Sequence, residues 1–145
     1  MSLAQGACTS YKVGLLNGQF NFGTGTTQTF KIALYTSYAT LNASTTGYTP
    51  VGEVTGGGYT AGGEVLTISQ IPTSSGTTAY LSFNNAVWTS ASFTARGALV
   101  YLADGITNPA IFVLDFGSDK VPTAAGVFTV TFPTATATSA ILQIN

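Results

Sequence analysis

Histidine is absent from this chain, cysteine occurs once, and only nine of the 145 residues are charged, four basic and five acidic. The missing histidine removes Ser-His-Asp and Cys-His catalysis and the commonest metal ligand. The lone Cys8 closes no internal disulfide, which suits synthesis in a reducing compartment, and it has no candidate base. It reads as an unreactive thiol in a lightly packed N-terminal segment. Lys12, Lys31, Arg96 and Lys120 are scattered along a chain of pI about 4.9, so no basic stripe exists to neutralise phosphates. Nucleic acid is not an expected partner. The opening MSLAQGACTS has neither the basic nor the apolar region of a signal peptide. Uncharged stretches such as 65–95 are interrupted throughout by Thr, Ser, Asn, Gly and Pro, so none offers the ~20 apolar residues of a spanning helix. A soluble chain without a membrane partner is expected.

What is present is apolar and weakly polar material: 45% hydrophobic residues, 17 glycines and 6% charge, against roughly 25% charge in an ordinary soluble protein. A near-neutral surface of Thr, Ser, Gly and Asn resists self-association poorly. The composition suits an assembly.

Apolar residues alternate with period two. In VFTVTF, Phe128, Val130 and Phe132 share a face; TAYLSF places Ala79, Leu81 and Phe83 together; AILQI ends the chain with Leu142 and Ile144. FKIALYT (30–36), EVLTISQI (64–71) and ARGALVYL (95–102) read as further strands, and AIFVLDF (110–116) as a central strand covered on both sides. Turn signals stand between the runs, at Asn84-Asn85, Asp104-Gly105, Asn108-Pro109, Gly117-Ser118 and Pro133-Thr134. No crossover helices are on offer for parallel strands, so an all-β fold is expected, an antiparallel, jelly-roll-like β-sandwich. Residues 8–16 could form one short helix. Residues 1–28 are expected to be an N-terminal arm, or that helix plus a loop, with a single domain over 29–145. The segments 17–29 and 44–63 read as long Gly/Thr-rich loops of the kind that serve binding or assembly.

The second of these loops contains EVTGGGYTAGGEVLT, with Gly56, Gly57, Gly58, Gly62 and Gly63 between two glutamates. A phosphate cradle would need a helix after the glycines and a basic residue for the charge. A β-patterned run follows instead, and the flanking charges have the wrong sign, so the glycines are architectural. Tyr48 and Tyr59 are then expected to anchor the loop against a neighbouring subunit. Asp115 is the only charge in AIFVLDF, and Arg96 the only one in ARGALVYL. A buried charge must be paired, so these strands are expected to be neighbours with Arg96 meeting Asp115. Asp115 and Asp119 come nearest to a calcium pair, but no EF-hand spacing occurs, and most of the five carboxylates sit beside turns rather than converging as in a glycosidase. No cofactor, metal or catalytic residue is expected. Trp88 with Phe93 is read as core packing in preference to a sugar-stacking platform.

From Lys31 to Ile144 the chain resembles a group of small structural proteins of tailed bacteriophages. The resemblance rests on ARGALVY at Ala95–Tyr101, VLDFGSDK at Val113–Lys120, FTVTFP at Phe128–Pro133 and the YTAGG segment at 59–63. It implies a virion component without enzymatic activity, whose partners would be the major capsid protein or other virion proteins. The expected function is capsid decoration or cementing, as a homo-oligomer with a trimer among the options. The alternatives are a tail-tip, fibre or baseplate component and, from a different class, a carbohydrate-binding module.

Overall fold

The computed structural model describes residues 2–145 and is built from antiparallel strands with one short helix. In chain order these are β1 (Gly6–Ala7), α1 (Thr9–Leu16), β2 (Phe30–Tyr35), β3 (Glu64–Leu66), β4 (Ile68–Ser75), β5 (Thr78–Phe83), β6 (Ala86–Trp88), β7 (Ala95–Leu102), β8 (Ala110–Lys120), β9 (Phe128–Val130) and β10 (Leu142–Ile144). They form a five-stranded sheet in the order β1-β8-β7-β2-β3, a three-stranded sheet β10-β5-β4 and a two-stranded sheet β6-β9. The fold is all-β, as the period-two pattern predicts.

The large sheet is covered on both faces, which is why β7 and β8 are apolar at almost every position. On one face Ile32, Leu34, Val100 and Phe112 join a core shared with Phe83, Trp88, Phe128 and Val130 of the smaller sheets. On the other, Ala33, Tyr35, Leu99 and Val113 pack with Cys8, Ala39 and Leu41. The middle position of the sheet belongs to β7; β8, expected there, lies beside it and is fully buried over 110–113.

Three local expectations need correction. The run 64–71 divides at Thr67, whose carbonyl accepts the Asn84 N–H, so that β3 and β4 enter different sheets. Gly117-Ser118 does not turn the chain: β8 continues to Lys120, and the positive φ of Gly117 (79°) falls in a stretch where the β7–β8 register slips between Gly97↔Asp115 and Ala95↔Lys120. Residues 2–28 take the second of their expected forms, the helix α1 plus a loop, but they are not separate from the domain over 29–145. Gly6–Ala7 pairs with Phe112–Val113 on β8, Cys8 is fully buried, and Tyr11 and Phe22 enter the main core. Phe22 stacks on Phe30 with ring centroids 4.6 Å apart and meets Phe83 edge-on at 6.3 Å. The physical reason is that β8 would otherwise be an uncovered apolar edge.

The segment should therefore be indispensable. Burial of Cys8, Tyr11 and Phe22 contributes roughly 2 kcal/mol each, comparable in sum to the low end of the whole stability of a domain this size. Deleting residues 2–28 is expected to abolish the cooperative urea transition and the near-ultraviolet circular dichroism. Wild-type melting of the truncated chain would restore the arm.

Candidate functional site

The densest polar cluster lies in the glycine-rich strap 44–63, and it is organised around Glu53. The strap runs beside β2 where β3 stops. Beyond Ile32↔Glu64 the strand would have a bare edge, yet the Val54 N–H donates to the Leu34 carbonyl and Thr36 N–H to the Gly52 carbonyl, with Tyr35 bridged to Glu53. The Leu34 N–H is met by a side chain instead, the Tyr59 hydroxyl, at 2.9 Å. The strap supplies the missing strand partner piecemeal.

Glu53 holds that arrangement in place. Its Oε1 accepts the Tyr59 hydroxyl at 2.6 Å and the Gly62 N–H at 2.7 Å, while Oε2 accepts the Tyr48 hydroxyl at 2.6 Å. The Tyr101 hydroxyl, reaching out from β7, donates to the Gly62 carbonyl at 2.7 Å, and the Tyr48 ring stacks on Tyr101 at 5.1 Å. Tyr35 donates to the Thr49 carbonyl at 2.6 Å. Four tyrosines and one carboxylate thus tie the strap to the sheet. Tyr48 and Tyr59 point inward onto Glu53, not outward to a neighbour, because a half-buried carboxylate needs short, charge-assisted donors.

The glycines serve the same end. Gly63 (φ 77°) sits against the Ile32 backbone so closely that any Cβ would run into the Ile32 carbonyl, and Gly58 (φ 79°) packs likewise on the carbonyls of Thr89 and Ser90. Gly57 exchanges hydrogen bonds with Ser92, its carbonyl accepting the Ser92 N–H and its N–H donating to the Ser92 Oγ. Gly56 also lies against Ser92 and Phe93, and Gly62 beside Tyr101 and Lys31. All seven residues of the expected assembly loop are therefore positioned by contacts within the chain.

Burial is the main reason the tyrosine hydroxyls resist ionisation. It raises Tyr59 and Tyr48 well above the ordinary tyrosine range, with the hydrogen bond to Glu53 next; it raises Tyr35, with the Glu53 charge next, and pushes Tyr101 up to about 12 for the same two causes. Both Glu53 oxygens are thus engaged by donors of the same chain, and the four phenols stay neutral.

Arg96 and Asp115 do meet, across β7 and β8, with Nε donating to Oδ1 at 3.0 Å. The pair is not buried. Side-chain exposures of 32% and 24% place it where the register slips, so it is a surface contact rather than a compensated core charge. Asp115 is held below the usual carboxylate range first by the Gly117 N–H and then by Arg96. Among the described residues no three His, Cys, Asp or Glu come together as a metal site.

Two aromatic and thiol expectations also resolve. Cys8 is fully buried rather than lightly packed, and burial pushes its thiol up to about 11, so it is inert. Trp88, 1% exposed, lies between Tyr59 and Phe128 and offers no stacking platform to a sugar. Its indole N–H is buried without a partner.

The segments 113–120 and 128–133 meet in an open apolar groove of about 590 Å³ between β8 and β9, lined by Leu114, Phe116, Phe128, Val130 and Phe132. Nothing in the sequence pattern of either strand alone announces it. No family model, curated protein or solved structure matches this chain.

Two outcomes follow for the Glu53 cluster. Glu53→Ala leaves three donors short of an acceptor and should cost about 2 kcal/mol in urea unfolding, with Glu53→Gln losing less; an unchanged midpoint in both would show that the strap does not depend on it. The second concerns alkaline pH. Phenols whose folded pKa is raised stabilise the fold fully below the unfolded value of about 10, and that contribution is lost as pH rises from there through the folded values. The urea midpoint should fall steeply above pH about 10. Because burial is the leading cause, Glu53→Gln should retain most of that dependence.

Proposed function

We propose that this chain is a non-enzymatic structural protein of a tailed-phage virion, a decoration or cement protein bound to the outside of the head shell. The observation that carries the reading is its surface. With nine charged residues in the whole chain, ten large apolar side chains stand exposed, among them Leu16, Ile106, Tyr38 and Val51. A surface so poor in charge and rich in apolar contacts favours a bound state over a dilute one.

The segments that carry the phage resemblance support the same reading. Ala95–Tyr101 falls on β7, Val113–Lys120 on β8, and Phe128–Pro133 begins with β9; the last two line the 590 Å³ groove. The groove offers a shell subunit an apolar contact surface on a rigid, doubly covered sheet. Cementing then works by mass action: each copy that binds the assembled shell, and not its free subunits, favours the assembled state. With Trp88 in the core and Tyr48 and Tyr59 committed to Glu53, no observation favours the carbohydrate-binding alternative.

The test is the copy number of this chain in purified particles of the phage that encodes it, measured by quantitative mass spectrometry against the major capsid protein. Hundreds of copies per particle are expected. A few to a few dozen would move the protein to the tail or to one vertex, and absence from the particle would overturn the virion reading.

A further inference from the structure

We propose that the free edge of β9 is a strand-addition site, and that its occupant is an extended segment of a partner protein, alternately apolar and carrying an acidic residue that meets Lys120. The inference gives chemical form to the shell contact proposed above and rests on that reading for the source of the segment alone.

The first observation is an unpaired stretch of backbone. β9 pairs with β6 alone, so one of its edges is open. The Gly126 carbonyl accepts the Ala91 N–H and the Phe132 N–H donates to Asn85 Oδ1, so the even-numbered residues face β6. Val127 faces the other way, its carbonyl accepting the Thr123 N–H and its N–H donating to Thr123 Oγ1. Thr129 and Thr131 follow it on that side, where among the described residues no group meets their N–H or C=O.

The second is the course of the 590 Å³ groove. All of 127–133 borders it, the exposed Thr129 and Thr131 as well as the buried Phe128, Val130 and Phe132. Alternate residues of a strand point to opposite faces, so a hollow bordered by all of them runs along the edge rather than over one face. Across it stands β8, whose outer edge is paired by β1 only at Phe112 and Val113. Beyond them the Gln5 side chain meets the Asp115 N–H, and no strand lies outside 116–120. The groove has the form of a missing strand. A peptide laid there gains hydrogen bonds to Thr129 and Thr131 and buries alternate side chains against Leu114, Phe116 and Val130. An acyl chain would leave the backbone groups unmet.

Charge narrows the sequence of the occupant. Of the nine charged side chains, Lys120 alone borders the groove. Arg96 and Asp115 form the one ion pair among the described residues, and Asp119, although next to Lys120 in the chain, does not line the hollow. Lys12, Lys31, Glu53, Glu64 and Asp104 belong to α1, β2, the strap, β3 and the loop after β7, none of which borders it. An apolar segment with one carboxylate complements that lining; the same segment with a lysine does not.

The test titrates the isolated chain, followed by two-dimensional NMR, with two short acetylated peptides that alternate valine and threonine, glutamate standing first in one and last in the other. At least one should shift Thr129 and Thr131 and slow the exchange of their amides. Lys120→Glu should weaken that peptide roughly fivefold and favour its lysine-bearing counterpart. Thr129→Pro, which removes an edge N–H without touching the bonds to β6, should abolish binding with circular dichroism unchanged; if it unfolds the chain, the charge exchange at Lys120 decides. No shift with either peptide at millimolar concentration overturns the inference, as does equal binding to wild type and Lys120→Glu. Laurate that fills the groove and displaces the peptide while the Thr129 and Thr131 amides stay unprotected assigns it to an acyl chain instead. Protection of those amides in the free chain that grows with its concentration assigns it to a second copy, and either result overturns the proposal. Peptide binding is read without particles, so its outcome is separate from that of particle counting.

Discussion

The fold depends on closing the outer edge of β2. This strand lies next to the middle of the large sheet, and β3 pairs with only its first three residues, Phe30 to Ile32. Open N–H and C=O groups over the rest would invite another chain or water into the core. A strap without regular structure closes the gap, and it can do so because one carboxylate gathers two tyrosine hydroxyls and a backbone N–H. In a chain with nine charges, spending one here also explains why the tyrosines, which elsewhere would be contact residues, are turned inward.

Everything else is aromatic packing around a doubly covered sheet. Phe22, Phe30, Phe83 and Phe132 form a continuous run from the N-terminal segment to the small sheets, and Tyr59, Trp88, Phe93 and Phe128 form another under the strap. The N-terminal segment and the strap are thus parts of the core, although neither has a periodic pattern. The layers leave the β8–β9 groove and the cleft beside α1 open. In the strap, by contrast, the Glu53 oxygens and the tyrosine hydroxyls are engaged within the chain.

The strands were legible wherever side chains alternate. TAYLSF falls where period two puts it, since alternation follows directly from the pleat, and FKIALYT, ARGALVYL and AIFVLDF fall where short apolar runs between turn signals put them. The pairing of Arg96 with Asp115 was also readable, from two apolar runs each holding a single charge. Its exposure was not, because a register slip near a strand end depends on how two strands twist together. The role of Glu53 was hidden for a different reason: its partners come from residues 48, 59 and 62, close in sequence but arranged by glycines whose conformations no pattern specifies. Phe20 and Phe22 stand in the stretch 17–29, which has no periodic pattern, so nothing in the sequence places them against Phe30.

Trp88 has a practical consequence. It is the sole tryptophan, shielded from water, in contact with Tyr59 of the strap and Phe128 of β9, and its indole N–H has no hydrogen-bond acceptor. An indole so placed emits at short wavelength and receives excitation energy from nearby phenols. The chain therefore carries its own optical gauge of strap closure: lifting Tyr59 away would let water reach the ring, and the emission colour would change before any strand separates.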